Sequence, residues 1–319
     1  MVVALGVEVV FTRPVRISII LLNCNRNDDT LECIRALKET GEDFQIILVD
    51  NGSQPTPKEP SEREFPGLVF LGNDENLGTP IGNNIGIRYA LEHGADYVMM
   101  LNNDTNVGKT FLRPLVAAME ADRQIGVAGG KIYYASDPNR IWFAGGKYDS
   151  LTSRVEHVGI LKFDHEIPTP YTDNDFLSGC FSLFRASALR EVGLLDEQFF
   201  AYMEDVDLNV RIKKAGYKLA YVPEAFIYHK VSTTIKVDSP FFLYFNMRNR
   251  ILMLKKHNSP FKRLAAIPYL TFFFGRQIIR LTVKYRYWAG VKAVLYGIED
   301  GLRSYTGRFG KGRLNMLGK

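Results

Sequence analysis

Four runs decide the fold: ISIILLNCN at residues 17–25, IILVDNGS at 46–53, LVFLGNDEN at 68–76 and YVMMLNND at 97–104. Each opens as a short aliphatic stretch and then switches to Asn, Asp or Gly. Continuous apolar runs of this length predict strands buried on both faces, the habit of parallel sheets covered by helices. Between the runs the periodicity is helical. Leu31, Ile34 and Leu37 space a helix over 30–39 that Thr40 and Gly41 stop, and a second is expected over 81–92, ending at Gly94. Alternating strands and helices predict an α/β fold with a mostly parallel central sheet flanked by helices. Such sheets bind ligands at the carboxyl ends of their strands, where these four runs turn polar together. Asn, Asp and Gly also mark ordinary turns, so any one strand end is compatible with loop chemistry alone.

Working outward, Phe111, Leu115 and Met119 space a helix over 111–120, and residues 125–163 promise irregular strands and hairpins. A strand is expected at 181–184, a short helix at 187–192 and a longer one in DVDLNVRIKKAG after Asp205. In that helix Val206, Val210 and Ile212 turn inward and Gly216 is the stop. Two strands, 218–222 and 225–228, are expected on either side of Pro223. The start, MVVALGVEVVFTRP, has no basic segment ahead of its apolar stretch and no small-residue cleavage site, so residues 1–14 are expected to be an extension and not a secretory signal.

Charge divides the chain. From residue 240 onward 16 Lys and Arg stand against Glu299 and Asp300, a balance of +14, which against +5 for the whole chain leaves −9 before it. The expected organisation is a catalytic domain over 15–239 and a helical, basic C-terminal region over 240–319. The run LAAIPYLTFFFG, 264–275, lies between Arg263 and Arg276 and is well short of the ~20 residues of a membrane-spanning helix. It fits a helix lying in a membrane interface, with cations at headgroups and aromatic rings at the boundary. A packed helical subdomain with a solvated basic face fits the same pattern. Nucleic acid is a weaker partner for the basic tail, and an oligomer stays open. The three cysteines, Cys24, Cys33 and Cys180, have no metal-binding spacing and suit a reducing, cytoplasmic compartment.

Three places carry candidate chemistry. In MLNNDT, 100–105, Asp104 follows a strand beside two carboxamides, and hard cations such as Mg²⁺ or Mn²⁺ take one or two protein carboxylates plus phosphate oxygens. In FFAYMEDVDLNV, Glu204, Asp205 and Asp207 crowd a helix start. The helix dipole accounts for such acids without catalysis, and for Asp207 capping suffices. Glu204 and Asp205 follow a bulky aromatic run that could wall a cleft and hold a general base. His229 ends an aromatic strand as either a packed residue or a metal ligand. Gly78, Gly82 and Gly86 form neither the G-x-G-x-x-G nor the P-loop pattern. Their spacing of four permits close helix packing against the sheet or a ligand, with Asn83 and Asn84 placed to donate to a diphosphate at the helix N-terminus.

In this order the segments resemble glycosyltransferase family 2, and more narrowly its rhamnosyltransferase-like members. The resemblance runs through NDENLGTPIGNNIGI, YVMMLNNDT, the long segment from Phe176 to Lys230 and FNMRNRILMLKKH, 245–257, and spans most of residues 15–257. It implies a GT-A-type nucleotide-sugar-binding fold, an inverting transfer from a nucleotide-diphosphate donor such as dTDP-L-rhamnose or a UDP-sugar, and a divalent metal on the diphosphate. The acceptor would be a glycan or lipid-linked precursor of a cell-surface polysaccharide, met at the inner face of the membrane. By the same resemblance Asp50 is the nucleoside-binding acid, with Asn23, Asn25 and Asn76 beside it. The family's D-x-D is represented by Asn102, Asn103 and Asp104, so an amide replaces the first carboxylate and Asp104 is left as the direct ligand. Asp205 takes the place of the base, Glu204 contacts a sugar, and His229 completes the metal shell. A nucleotidyltransferase would instead show a Gly-rich basic loop after the first strand, which LLNCNRNDD lacks. A non-catalytic sugar-nucleotide-binding protein would not need both Asp104 and Asp205.

Overall fold

The computed structural model describes residues 15–167, 174–231 and 239–308; the extension expected at 1–14 and the end of the tail at 309–319 lie outside them. The four opening runs form β1 (Ile17–Asn23), β2 (Gln45–Asn51), β3 (Val69–Asn73) and β4 (Tyr97–Asn102), parallel neighbours in the order β3-β2-β1-β4. The register pairs Asn23 with Asp50, Leu22 with Asn102 and Asn51 with Asn73, so the polar ends are level along one edge. Helices α1 (Asn27–Glu39), α2 (Lys58–Glu64) and α3 (Thr79–Glu92) connect them. The glycines of α3 serve packing against the sheet. A Cβ at Gly82 would stand 2.5 Å from Leu22 Cδ1, and one at Gly86 2.7 Å from Ile20 Cγ2.

Beyond β4 come β5 (Thr105–Val107), α4 (Arg113–Ala121), β6 (Ile125–Tyr134), β7 (Asp137–Phe143), β8 (Gly146–Asp149) and β9 (Arg154–His157). Then follow β10 (Phe181–Arg185), α5 (Ala186–Val192), α6 (Glu204–Lys214) and β11 (Lys218–His229). They extend the sheet as β4-β10-β6-β11-β5, with β10 antiparallel to both neighbours, so this half is mixed. The two strands expected around Pro223 are one. Strand β11 runs through the proline with a register shift against β6 between Val222 and Phe226, an irregularity of the kind where the missing proline N–H does no harm.

The C-terminal region is helical: α7 (Pro240–His257), α8 (Pro260–Ile279) and α9 (Trp288–Arg303). Residue 240 is not a break in packing. In α7, Leu252 and Met253 join the main core, while Leu243, Tyr244, Phe245, Met247 and Ile251 form a second core with Phe200 and with Val291, Ala293 and Val294 of α9. Helix α9 presses onto α7 because Gly297 is small: a Cβ there would meet the Tyr244 carbonyl oxygen at 2.4 Å. Asn249 donates to the carbonyls of Ala201 (2.7 Å) and Tyr202 (2.8 Å), and the buried Arg248 donates to those of Gly307 and Gln198.

Asp207 is not a cap. The helix begins after Met203, in a left-handed conformation with no side-chain cap, and Asp207 lies buried between α6 and α7. Its carboxylate meets Arg211 Nε, Lys256 Nζ and His257 Nε2, each at 2.8 Å. Burial opposes its charge, but His257, Arg211 and Lys256 together hold it well below the usual carboxylate range. Breaking such a buried cluster costs about 3–5 kcal/mol by leaving charge unpaired. Asp207→Ala is therefore expected to lower the unfolding free energy by that order, whereas a capping role would cost only about 1 kcal/mol; chemical denaturation separates the two.

Candidate functional site

The level strand ends carry a belt of mutually bonded amides. Asn23 is fully buried, and its amide group donates to Asp50 Oδ1 (3.0 Å), Ser53 Oγ (2.9 Å) and Asn27 Oδ1 (2.9 Å). Its oxygen accepts from Thr30 (2.8 Å) and Asn103 (3.3 Å). It therefore fixes other residues and has no polar atom left to offer a ligand. Asp50, itself buried, is held on its second oxygen by Thr56 (3.0 Å). Asn25 is exposed, has φ 56°, and accepts from Gln54 N at 2.9 Å. On the other side Asn51 joins Asn73, Asn76 and the backbone of residues 77 and 78. Asn76 in turn accepts from Gly78 N and donates to Cys24 Sγ. Gly52 permits this crossing: it has φ 76°, and a Cβ would sit 2.5 Å from the Glu75 carbonyl carbon.

The N-terminus of α3 is already occupied by protein. Thr79 N donates to the Phe200 carbonyl at 2.8 Å, Pro80 has no N–H, and Asn83 donates to Thr79 O at 2.9 Å. Asn84 clamps Leu195 through both backbone groups and also meets Glu197. Asn84 is thus committed inside the fold, whereas Asn83 makes one amide hydrogen bond, within its own helix.

Around the β4–β5 turn the three residues diverge. Asn102 is exposed, while Asn103 donates inward to Thr30 at 2.7 Å. Asp104 lies beside His229 because β5 and β11 pair antiparallel with Thr105 opposite His229. His229 Nε2 stands 3.0 Å from Asp104 Oδ1, yet off the line of a hydrogen bond, so Oδ1 is buried without a hydrogen-bond partner, as is His229 Nδ1. Burial opposes both charges. The adjoining His229 nevertheless holds Asp104 low, and Cys180 and Asp104 hold the imidazole up to about 10. As it stands the pair is a carboxylate–imidazolium contact; a divalent cation would displace the imidazole proton and leave one carboxylate oxygen and one neutral ring nitrogen as its protein ligands. Among the described residues no group of three or more His, Cys, Asp and Glu is placed for a metal, so phosphate oxygens and water would complete the shell.

Asp205 sits at the start of α6. Its Oδ2 accepts from Gly179 N (2.9 Å) and its Oδ1 from Val206 N (2.8 Å). Burial raises its pKa, while these backbone donors favour the ionised form. Glu204 has a buried oxygen without a hydrogen-bond partner, and burial followed by the Asp205 charge pushes its carboxyl well up. Of the two, Asp205 is fitted to be the carboxylate and Glu204 the protonated acid. One turn connects this carboxylate to the Asp104 loop: Gly179 N donates to Asp205, and the next carbonyl, of Cys180, accepts from Asn102 N at 3.0 Å. Sequence reading missed this turn, along with Asn51, Ser53 and Thr30. Within 178–180 the bonds to Asp205 and Asn102 are made by backbone groups, which residue types alone do not announce.

The sequence model of the family described as "Glycosyl transferase family 2" matches residues 18–193. The chain is 24% identical over 284 residues to dTDP-rhamnosyl transferase RfbF of Shigella flexneri, covering 86% of this chain and 90% of that one. It is 30% identical over 210 residues to N-acetylglucosaminyl-diphospho-decaprenol L-rhamnosyltransferase of Mycobacterium tuberculosis, covering 59% and 67%. In fold it is similar to the mannosyltransferase PcManGT of Pyrobaculum calidifontis, solved with GDP-Man and Mn²⁺, with TM-score 0.55, 14% identity and 91% and 88% coverage. S. aureus TarS, solved with UDP-GlcNAc, has TM-score 0.54 at 16% identity, with 91% and 82% coverage.

The belt sets its own test. Asn23→Ala strands several buried partners at about 1–3 kcal/mol per unsatisfied group, so a clear fall in thermal midpoint is expected, whereas Asn102→Ala at the exposed position should leave the midpoint within experimental scatter. Equal effects in a melting experiment would contradict this division of labour.

Proposed function

Because the chain belongs to glycosyl transferase family 2, we propose that it moves a sugar, with inversion, from a nucleotide-diphosphate donor to a hydroxyl of a glycan or lipid-linked acceptor. The observation that carries this reading is the 178–180 turn, which ties the Asp205 base and the Asp104 loop into one unit. Asp205 takes the proton of the acceptor hydroxyl as that oxygen attacks the anomeric carbon opposite the nucleotide. Its two backbone donors keep the carboxylate aimed and compensate part of its desolvation. Glu204, protonated, donates a hydrogen bond to a sugar oxygen. Asp50, with Asn25 and Asn76 at the rim of its pocket, receives the nucleoside, and Asn102 contacts ribose or sugar. Asp104 and His229 would hold Mg²⁺ or Mn²⁺, which stabilises the charge growing on the departing diphosphate.

The two relatives named as rhamnosyl transferases favour dTDP-L-rhamnose as donor, and the decaprenol in one name favours a lipid-linked acceptor in cell-surface polysaccharide synthesis. An enzyme serving such an acceptor works at the cytoplasmic membrane surface. Release of nucleoside diphosphate from a panel of dTDP- and UDP-sugars, with NMR of the product anomer, tests donor and stereochemistry together.

Asp205→Asn should lower kcat by about 10²–10⁴ with donor affinity little changed. Because burial raises the Asp205 pKa, wild-type kcat should fall on acidification with a midpoint above the ordinary ~3.9 of Asp, a limb the Asn variant lacks. Gly179→Ala, whose Cβ would press Asp205 Cβ at 3.2 Å, should lower kcat by roughly tenfold or more by misplacing the base. Separately, Asp104→Ala should abolish stimulation by Mn²⁺ or Mg²⁺, and His229→Ala should raise the cation concentration needed; a metal titration of turnover checks both.

A further inference from the structure

Helix α8 is inverted for a helix in water. Only Ala266 and Phe274 are buried along its 20 residues, while Phe261 is 79% exposed, Leu264 65%, Phe272 69% and Ile279 63%. At about 100° per residue these four fall on one arc, with Pro268 between them. Beyond Ile279 the chain makes a π-helical turn, Arg280–Lys284, in which Val283 is 73% exposed, and Trp288 at the start of α9 is 63% exposed. The flanks of this arc are basic. Lys262, Arg276, Lys284 and Arg286 are exposed, and no Asp or Glu occurs from residue 240 to 298.

A second copy of the chain would set these cations against their own kind, and protein interfaces are depleted of Lys. An anionic bilayer surface answers both features, since headgroup phosphates pair with Lys and Arg while aromatic and aliphatic side chains enter the acyl boundary. No helix among the described residues is long and apolar enough to cross a membrane, so α8, about 30 Å long at 1.5 Å per residue, would lie in the surface plane. We infer that the outer arc of α8 and the turn that follows form an anionic-lipid-binding face that holds the catalytic body in a set orientation.

The orientation follows from how α8 is attached. Asn258, between α7 and α8, donates to Ser150 O at 2.5 Å, and Arg263 Nε donates back to Asn258 O at 2.9 Å. Helix α7 is fastened through Asn249 to the carbonyls of residues 201 and 202, just ahead of Glu204 and Asp205. Immersion of α8 therefore fixes the base loop relative to the lipid surface. This rests on the transferase reading for its purpose; the lipid contact itself does not depend on it.

The test is flotation of the full chain with phosphatidylcholine vesicles, with and without phosphatidylglycerol, at low and high salt. Wild type should float with the anionic vesicles. The combined variant Phe261→Ser, Leu264→Ser, Phe272→Ser should partition at least about tenfold less. Lys262→Glu, Arg276→Glu, Lys284→Glu should lose the preference for phosphatidylglycerol. All six positions are exposed, so the fold is retained, and circular dichroism melting verifies it. Wild type that stays down, or variants that float like wild type, would overturn the inference. So would a wild-type dimer that the Ser variant dissociates in the absence of any lipid binding, because the arc would then be a contact between copies. Nucleoside-diphosphate release in solution is measured on the same proteins. Lipid binding without donor turnover overturns the transferase reading alone, and turnover without lipid binding overturns only the surface.

Discussion

The structure depends on one constraint: a buried amide must have its hydrogen bonds answered. Four parallel strands end level, each on Asn or Asp, in a place where water is largely excluded. The chain meets the requirement by bonding the strand ends to one another. Asn23 answers Asp50, Ser53, Thr30 and Asn103, and Asn51 answers Asn73 and Asn76. Two rigid half-belts result, one under Asp50 and one under the loop that leads into α3. With most of those amides committed, what remains for a ligand is narrowed to the surroundings of Asp50 at Asn25 and Asn76, the exposed Asn102, and the pair Asp104 and His229.

The same requirement governs the segment that leads into α6. The segment 198–203 crosses from α5 towards α6 with carbonyls that no strand pairs, and α7 supplies their donors through Arg248 and Asn249, while Phe200 offers its own carbonyl to Thr79. A helix from the C-terminal region thus completes the packing ahead of Asp205. The Asp207 cluster adds a second attachment two residues further on, so α6 is held at its first turn by both backbone and charge.

The parallel half of the sheet was legible because its signal is local: apolar run, polar stop, helical spacing. Asp104, Asp205 and His229 stand at strand and helix ends, as their residue types and the family resemblance led one to expect, and their roles are proposals. What was not legible depends on residues distant in sequence. Asp207 looked like a cap because its partners His257 and Lys256 lie on another helix. Pro223 looked like a break because only the neighbouring β6 reveals the register shift that accommodates it. Asn23 and Asn84 were read as ligand contacts, since an Asn that binds a ligand and one that braces a loop are the same letter. The structure spends those two amides within the protein.

Counting charges along the tail also overstated its electrostatics. Arg248 and Arg250 are buried, with Arg250 lying over the Phe273 ring at 4.4 Å. Lys255 is spent on the carbonyls of Gly301 and Leu302, and Lys256 on Asp196 and Asp207. These four cations of α7 hold the helix to the body and are unavailable to a surface. Only cations within about a Debye length, ~10 Å at 0.1 M salt, feel an external charge strongly, which leaves those on α8 and the turn after it. With the electrostatic share reduced, attachment of the proposed lipid-binding face would draw more on the apolar arc of α8, whose contribution salt does not screen. The cations of α8 and the turn after it would then select an anionic surface, while apolar burial supplies the hold.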